Sequence, residues 1–239
     1  MSGHSKWANI KHRKGAQDAR RAKVFTRIGR EIQTAAREGG SDPAANARLR
    51  AAILAGRTVN MPSDNIDRAI KRGTGEIEGV SYEEVVYEGF GPGGVAILVQ
   101  ALTDNRNRTT SEMRFLFTRH GGDLGGAGSV AWMFERKGYL EVPRDAIGED
   151  ALMEAVLEAG GDDLRIGEEV YEVYTAPGAF HAVRDALEKA GLRPSNAELA
   201  MIPQNPVTID PARQRQLLTL IEALDDHDDV QQVAANCEL

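Results

Sequence analysis

The hydrophobic positions near the N-terminus follow the period of an amphipathic helix. Between residues 16 and 38, apolar side chains recur at spacings of three and four and form one stripe, made of Phe25, Ile28, Ile32, Ala35 and Ala36. Gly39 and Gly40 end this helix, and two shorter stretches with a similar stripe follow before residue 73. The pattern predicts a module of three helices, preceded by an extended arm over residues 1–14.

From residue 82 onwards the pattern becomes one of short strands and intervening helices. Runs at 82–90 and 95–103 flank a glycine- and proline-rich turn, which predicts a hairpin, and a helix at 105–120 and a strand at 129–135 follow. Residues 139–202 then read strand, helix, two strands, helix and strand. That order is the split βαβ, or ferredoxin-like, pattern.

The C-terminal segment has too few strands for a sheet of its own. It contains strand-like runs at 207–209 and 230–236 around a helix at 211–224. We therefore expect these strands to lie beside the sheet that begins at residue 82. The unit at 139–202 is then an insertion within that middle domain.

The predicted fold class is therefore α+β and multidomain. An N-terminal three-helix module precedes two small α/β domains of ferredoxin-like type, the third domain being inserted in the second. The predicted domains are residues 1–78, a discontinuous domain of residues 79–137 and 204–239, and an inserted βαββαβ domain of residues 138–203.

Charge changes this picture, because it is divided unevenly along the chain. The first seventy-two residues hold 5 Lys and 11 Arg against 6 acidic residues, a net charge of +10. The other 167 residues hold 13 basic and 30 acidic residues, a net charge of −17, so the overall −7 hides a strong asymmetry. A one-signed basic block at one end of a chain favours a polyanion partner over a merely solvated helical face.

Composition excludes several other classes of protein. A single cysteine, Cys237, forms no internal disulfide and builds no multi-cysteine zinc site, which favours a reducing, cytoplasmic compartment. The sequence contains neither a membrane span nor the apolar core of a secretory signal. A mitochondrial transit peptide is the rival interpretation of the basic N-terminus, which has no acidic residue before Asp18.

Motifs that suggest catalysis or a cofactor are weak. Gly89, Gly91 and Gly94 fit a dinucleotide fingerprint, but a strand rather than a helix follows them, and the glycine-rich loop 121–128 has the same defect. The acidic run at 225–229 lacks the ligand spacing of a calcium loop and is predicted to be a solvated turn. No nucleophile signature is present, so we predict no enzyme activity, cofactor, metal, membrane or small-molecule substrate.

The stretch 103–110 is the one candidate for phosphate contact in the acidic part of the chain. It ends a predicted strand, opens a helix and carries Arg106 and Arg108. Arginines beside helix-terminal amides suit phosphate, although simple capping with exposed arginines is an equal alternative. Together with the arm and the outward face of the first helix, it completes the predicted nucleic-acid-binding set: Lys6, Lys11, His12, Arg13, Lys14, Arg20, Lys23, Arg27, Arg30, Arg106 and Arg108.

Four segments carry a resemblance to a known family. They are MSGHSKWANIKHRK at 1–14, AKVFT at 22–26, MPSDNI at 61–66 and TDNRNRT at 103–109. With these motifs the chain resembles the YebC/PmpR family over essentially its whole length. The resemblance implies three domains, a cytoplasmic location and a non-enzymatic role, and bacterial members have been described as DNA-binding transcriptional regulators.

The nature of the nucleic acid stays open at this stage. Similar proteins, including the mitochondrial translational activator of cytochrome oxidase, act on translation, and some bacterial relatives are linked to ribosomes stalled on proline-rich stretches. The outward face of the first helix is mostly Arg and Lys, with Gln17 and Gln33 as its only amide side chains for base edges. This favours backbone contact, so the partner is DNA or ribosomal RNA, with the ribosome as a further candidate.

Overall fold

The computed structural model describes the backbone of residues 17–237 and the side chains of residues 21–237. Its N-terminal part is a module of three helices, α1 (Gln17–Gly39), α2 (Ala47–Thr58) and α3 (Ser63–Thr74). Ile32, Leu49 and Ile66 pack at its centre, where the apolar stripes of the three helices meet. The predicted helical module is therefore present within the described residues.

The rest of the chain forms two four-stranded antiparallel sheets with two helices each. In chain order the elements are β1 (Glu83–Gly91), β2 (Val95–Thr103), α4 (Arg106–Arg119), β3 (Asp123–Leu124), β4 (Phe134–Pro143), α5 (Glu149–Glu158), β5 (Asp163–Ile166), β6 (Val170–Thr175), α6 (Phe180–Lys189), β7 (Asn196–Pro203), α7 (Pro211–Asp225) and β8 (Val230–Ala235).

The first sheet has the order β3-β1-β2-β8, so the C-terminal strand lies beside β2 as predicted. Helices α4 and α7 pack on one face of this sheet through Phe117, Leu217 and Leu220. Alternation along the strands places Ile97 and Val99 toward those helices. The sheet thus pairs two strands, β2 and β8, that lie more than a hundred positions apart in the sequence.

The second sheet has the order β5-β6-β4-β7, which is the ferredoxin-like arrangement of a βαββαβ unit. Helices α5 and α6 cover one face, and Leu140, Val156 and Val183 are fully buried between the layers. This sheet lies in sequence between β3 and α7 of the first one, so the structure confirms the predicted fold class with its inserted unit.

Two strand predictions are wrong. The predicted strand at 129–135 is instead a short 3₁₀ turn at Ala131–Met133 followed by β4, one continuous strand that begins at Phe134. Val130 and Phe134 pack on the back face of the first sheet, which turns the chain away from it. The run at 207–209 contributes only an isolated bridge between Val207 and Cys237.

The predicted boundary at residue 138 falls inside β4, and the domain limits themselves stay a prediction. None of the helices between residues 17 and 237 combines the length and the apolar character that a membrane span requires.

Candidate nucleic-acid interface

The structure describes five of the eleven side chains predicted to bind nucleic acid. Lys6, Lys11, His12, Arg13 and Lys14 lie outside the described residues. Arg20 belongs to α1, but its side chain is also outside them. The described members of the set are Lys23, Arg27, Arg30, Arg106 and Arg108.

The three described cations of the predicted set on α1 contact an acidic loop of the middle domain instead of facing solvent. Lys23 Nζ lies 3.0 Å from Asp226 Oδ1, and Arg27 Nη1 lies 3.2 Å from Asp225 Oδ1. Both side chains also donate to the main-chain carbonyl oxygens of those same aspartates. We call the contacts of Lys23, Arg27 and Arg30 with loop 225–229 the clasp.

Arg30 forms the innermost part of the clasp. Its Nη1 lies 2.7 Å from Asp229 Oδ1 and donates to the main-chain oxygens of Asp228 at 2.8 Å and Leu102 at 3.2 Å. Its guanidinium also stacks over the Tyr82 ring, 5.1 Å from the centroid. The helical phase was therefore predicted correctly, but the side opposite the apolar stripe faces another domain.

Asp229 is the point where the clasp meets the 103–110 stretch. Its carboxylate accepts from Arg108 Nη2 at 2.8 Å and from Thr109 Oγ1 at 2.6 Å, in addition to Arg30. Its side chain is only 2% exposed. Burial alone raises the pKa of Asp229, but the hydrogen bonds from Thr109, Arg108 and Arg30 outweigh it and bring the pKa to about 2.

Local sequence explains how Arg108 reaches this carboxylate. Asn105 caps α4 by accepting from the main-chain N–H of Arg108 at 3.1 Å, and Thr103 Oγ1 lies 2.7 Å from Thr109 Oγ1. Arg108 sits in the first turn, where it also bonds Asp104 at 2.9 Å. The structure thus joins Arg108 to Arg30 through Asp229, whereas Arg106 stays exposed.

The acidic loop is not the solvated turn that the sequence predicts, because Asp229 is buried and Asp225 is largely covered. Glu112, His227 and Asp229 place one ligand atom each within 4.8 Å of one another. His227 Nε2 already bonds Glu112 at 2.8 Å, and its Nδ1 accepts from the Asp229 N–H at 3.1 Å. These contacts hold loop 225–229 on α4, and the two arginines at Asp229 place positive charge beside this group.

Other polar residues of the helical module are also engaged internally. Arg48 bridges Glu31, Glu38 and Glu84, and Arg37 donates to Ser81 and to the Tyr82 carbonyl. Gln33, a candidate base reader, is 9% exposed and donates to the Val80 carbonyl. Arg37 and Gln33 thus hold the linker after α3, and the buried amide of Gln33 is not available to base edges.

Exposed cations remain on the other two helices. Four of them are Arg57, Arg68, Lys71 and Arg72, while Arg50 of α2, which is also exposed, donates to the main-chain oxygens of Pro43 and Ala44. Among the described residues, none of the four is in an ion pair, unlike Lys23 and Arg27. The sequence-based set of binding residues omitted all four, although cations in the last turn of a helix were visible in the sequence.

The glycine-rich loop at 121–128 is not a phosphate cradle. Glu88, only 6% exposed, accepts from the main-chain N–H groups of Gly128, Val130 and Ala131, each at 2.7 Å. Burial favours a higher pKa for Glu88, but these three bonds outweigh it and lower the pKa. The amide of Gly128 at the end of this loop, like those of Val130 and Ala131 after it, is therefore occupied by a carboxylate of the protein itself.

Comparison with known proteins places this architecture in a family. A family model described as the TACO1/YebC protein N-terminal domain matches residues 5–76, and one described as the TACO1/YebC second and third domain matches residues 82–237. A relative from Syntrophus aciditrophicus is 56% identical over 100% of this chain and 96% of its own length. One from Enterococcus faecalis is 55% identical over 100% and 99%, and both are named "Probable transcriptional regulatory protein".

A solved structure shares the fold. The crystal structure of a conserved hypothetical protein from Aquifex aeolicus has 50% sequence identity and a TM-score of 0.87. The match covers 98% of this chain and 96% of the other.

Proposed function

The chain belongs to the TACO1/YebC family, which confirms the resemblance of its motifs, and from this premise we propose that it is a non-enzymatic, nucleic-acid-binding regulator of gene expression. Its relatives are named as probable transcriptional regulatory proteins, which supports a regulatory role. The observation that carries nucleic-acid binding is the net charge of +10 in the first seventy-two residues, beside −17 in the remainder.

The proposed interface is centred on the arm and the exposed faces of α2 and α3. Lys6, Lys11, His12, Arg13, Lys14 and Arg20 are retained from the sequence, together with Arg106. The exposed cations Arg57, Arg68, Lys71 and Arg72 extend this interface. Cations without a nearby carboxylate gain the most from phosphate, because no ion pair has to be broken first.

A translational role through RNA is the second candidate, and one observation favours it. Reading duplex DNA needs side chains that reach base edges, and Gln33 is buried against the linker. The exposed cations that remain suit backbone contact, which is sufficient for docking on ribosomal RNA by shape. In this version the protein is a ribosome-associated translation factor.

One set of binding measurements separates the two candidates. Affinity is measured for promoter-length duplexes, random duplex DNA and ribosomal RNA helices, and sedimentation with ribosomes is followed in parallel. A DNA regulator binds its own site on the order of a thousandfold above random duplex. Discrimination of only a few fold together with co-sedimentation favours the translational role, and failure to bind any of these at low salt contradicts the proposal as a whole.

A further inference from the structure

The clasp occupies cations with the same kind of acceptors that a nucleic acid offers. Lys23, Arg27 and Arg30 follow each other at spacings of four and three, which places them in one row along α1. Each contacts a carboxylate and a main-chain carbonyl oxygen of loop 225–229. The loop thus presents a short array of anionic oxygens to a basic helix, as a phosphate backbone does.

The arginines of the clasp are not saturated by this loop. The Nε atoms of Arg27 and Arg30 are buried and have no hydrogen-bond acceptor among the described residues. A guanidinium offers its Nε–H and Nη–H groups side by side, and the two oxygens of a phosphate match that pair. A phosphate can therefore accept from the Nε–H group of these arginines, whereas the acidic loop accepts only from their Nη atoms.

Burial is graded along the clasp. The Asp226 side chain is 83% exposed, Asp225 is 18% exposed and Asp229 is 2% exposed. Exposed ion pairs are weakly stabilised and exchange readily with solvent ions, whereas buried ones are not. The Lys23–Asp226 pair is thus the part that opens first, the partly buried Arg27–Asp225 pair follows, and Arg30 and Asp229 hold the domains together.

We propose that loop 225–229 is an internal competitor of nucleic acid for Lys23 and Arg27, so that the clasp masks part of the binding surface in the free protein. This inference rests on the proposed function, because it concerns how the same interface is regulated. Binding of a polyanion replaces Asp225 and Asp226 by phosphates, and the acidic middle domain is then released from the outer end of α1. The clasp therefore lowers the affinity of the free protein for nonspecific nucleic acid, because Lys23 and Arg27 must first leave Asp226 and Asp225.

The test removes the competing carboxylates and keeps the cations. The full-length D225N/D226N variant is compared with wild type and with E168Q/E169Q, which loses the same two charges from an exposed turn of the inserted domain. The probe is a random duplex of about 20 base pairs, long enough to offer several phosphates to one basic helix, titrated at several salt concentrations. Circular dichroism melting shows whether each variant is folded.

The clasp variant is expected to bind at least about threefold more tightly than wild type at low salt, since two exposed or partly exposed ion pairs no longer compete. Its plot of log affinity against log salt is expected to steepen by up to about 0.9 for each freed cation. The control is expected to match wild type. Binding by the clasp variant alone, with none by wild type, supports masking even more strongly.

Two outcomes overturn the inference while leaving the proposed function in place. In the first, D225N/D226N binds with the affinity of wild type, while wild type shows a clear salt dependence. In the second, D225N/D226N and E168Q/E169Q gain affinity equally, which indicates a general effect of net charge. If neither wild type nor the clasp variant binds, the proposed function and the inference both fail. Should the double variant be unfolded, D226N alone is titrated in its place, because its side chain is mostly exposed.

Discussion

Asp229 connects three parts of the chain through a single buried carboxylate. It accepts from Arg30 of α1 and from Arg108 and Thr109 of α4. Arg30 binds one oxygen of this carboxylate, Oδ1, and Arg108 binds the other, Oδ2. At the scale of single residues, this carboxylate fixes how the helical module sits on the first sheet.

Replacing Asp229 by Asn is expected to lower the free energy of unfolding by about 3 kcal/mol, because it leaves Arg30 partly buried without its counter-charge. Urea denaturation at neutral pH measures the change. D226N serves as the matched control and is expected to stay within about 0.5 kcal/mol of wild type, since its side chain is 83% exposed. Equal stabilities of the two variants would contradict the central place of Asp229.

The same carboxylate predicts a pH dependence with a definite sign. The pKa of Asp229 falls from its ordinary 3.8 to about 2 in the folded protein, so its stabilisation is present above pH 4 and is lost as pH falls toward 2. The shift corresponds to about 2 kcal/mol. The stability gap between wild type and D229N is expected to narrow by this amount between about pH 5 and 2, and a constant gap would rule out the assignment.

The sequence could not predict this residue or the clasp. Helical phase correctly placed Lys23, Arg27 and Arg30 opposite the apolar stripe, but phase says nothing about what faces them. Their partners lie about two hundred positions away, in loop 225–229. The available signal was a run of five residues with four aspartates, in a chain that also carries a block of arginines near its N-terminus. The sequence alone favours a solvated turn for this run.

Among the elements, the loop before β4 is held by a buried glutamate rather than by regular structure. Glu88 accepts three main-chain N–H groups, and Val130 behind it is fully buried. Trp132 projects from the turn that follows and is 66% exposed. The loop is therefore ordered at its base and open at its tip.

E88Q is expected to cost about 2 kcal/mol, because the amide replaces one of the two accepting oxygens by an N–H₂ group, which then faces at least one main-chain N–H donor. Hydrogen exchange of at least one of the Gly128, Val130 and Ala131 amides is expected to accelerate by about tenfold or more relative to E83Q, a change on an exposed position of the same strand. Unchanged protection of these amides would contradict the role of Glu88.

The inserted domain supplies a second test at this scale, at Gly138 in β4. A Cβ atom there would lie 2.7 Å from the Phe180 ring and also too close to Thr175 Oγ1. G138A is therefore expected to lose about 2 kcal/mol by overpacking. G178A is the control, because a Cβ atom at that position would have no other atom within 4 Å. An equal shift of the melting temperature in both variants would contradict the close packing around Gly138.

Hydrophobic periodicity predicted the elements well where each one buries a single face. The stripe of α1 is an example, and its observed limits, Gln17–Gly39, lie close to the predicted 16–38. The limits of β1 and β2 also lie close to the predicted runs, although β2 is buried on both faces. Periodicity failed at 129–135, because Val130 and Phe134 are anchors on the back of the first sheet and the residues between them form a turn. The spacing of apolar residues alone does not distinguish a strand from a turn that is anchored by an apolar residue at each end.

For the whole molecule, the charge asymmetry seen in the sequence has two consequences. The basic module docks on the acidic remainder through the clasp, and the cations that are left over, with those of the arm, form the proposed nucleic-acid interface. The sequence predicted the second consequence and overlooked the first, because a net charge does not reveal which charges meet within the fold. Both consequences follow from the separation of a net charge of +10 in the first seventy-two residues from a net charge of −17 in the remainder.

The most direct test of nucleic-acid binding is its salt dependence in a variant of the arm. K6Q/K11Q/R13Q/K14Q is compared with K189Q/R193Q/R213Q/R215Q, which removes four exposed cations from the acidic part of the chain and leaves the clasp intact. Affinity for duplex nucleic acid is measured from about 50 to 200 mM salt. The arm variant is expected to bind more weakly, with a slope flatter by about 0.9 for each phosphate that the arm no longer neutralises, while the control keeps the wild-type slope. An arm variant with wild-type affinity and slope would contradict the account.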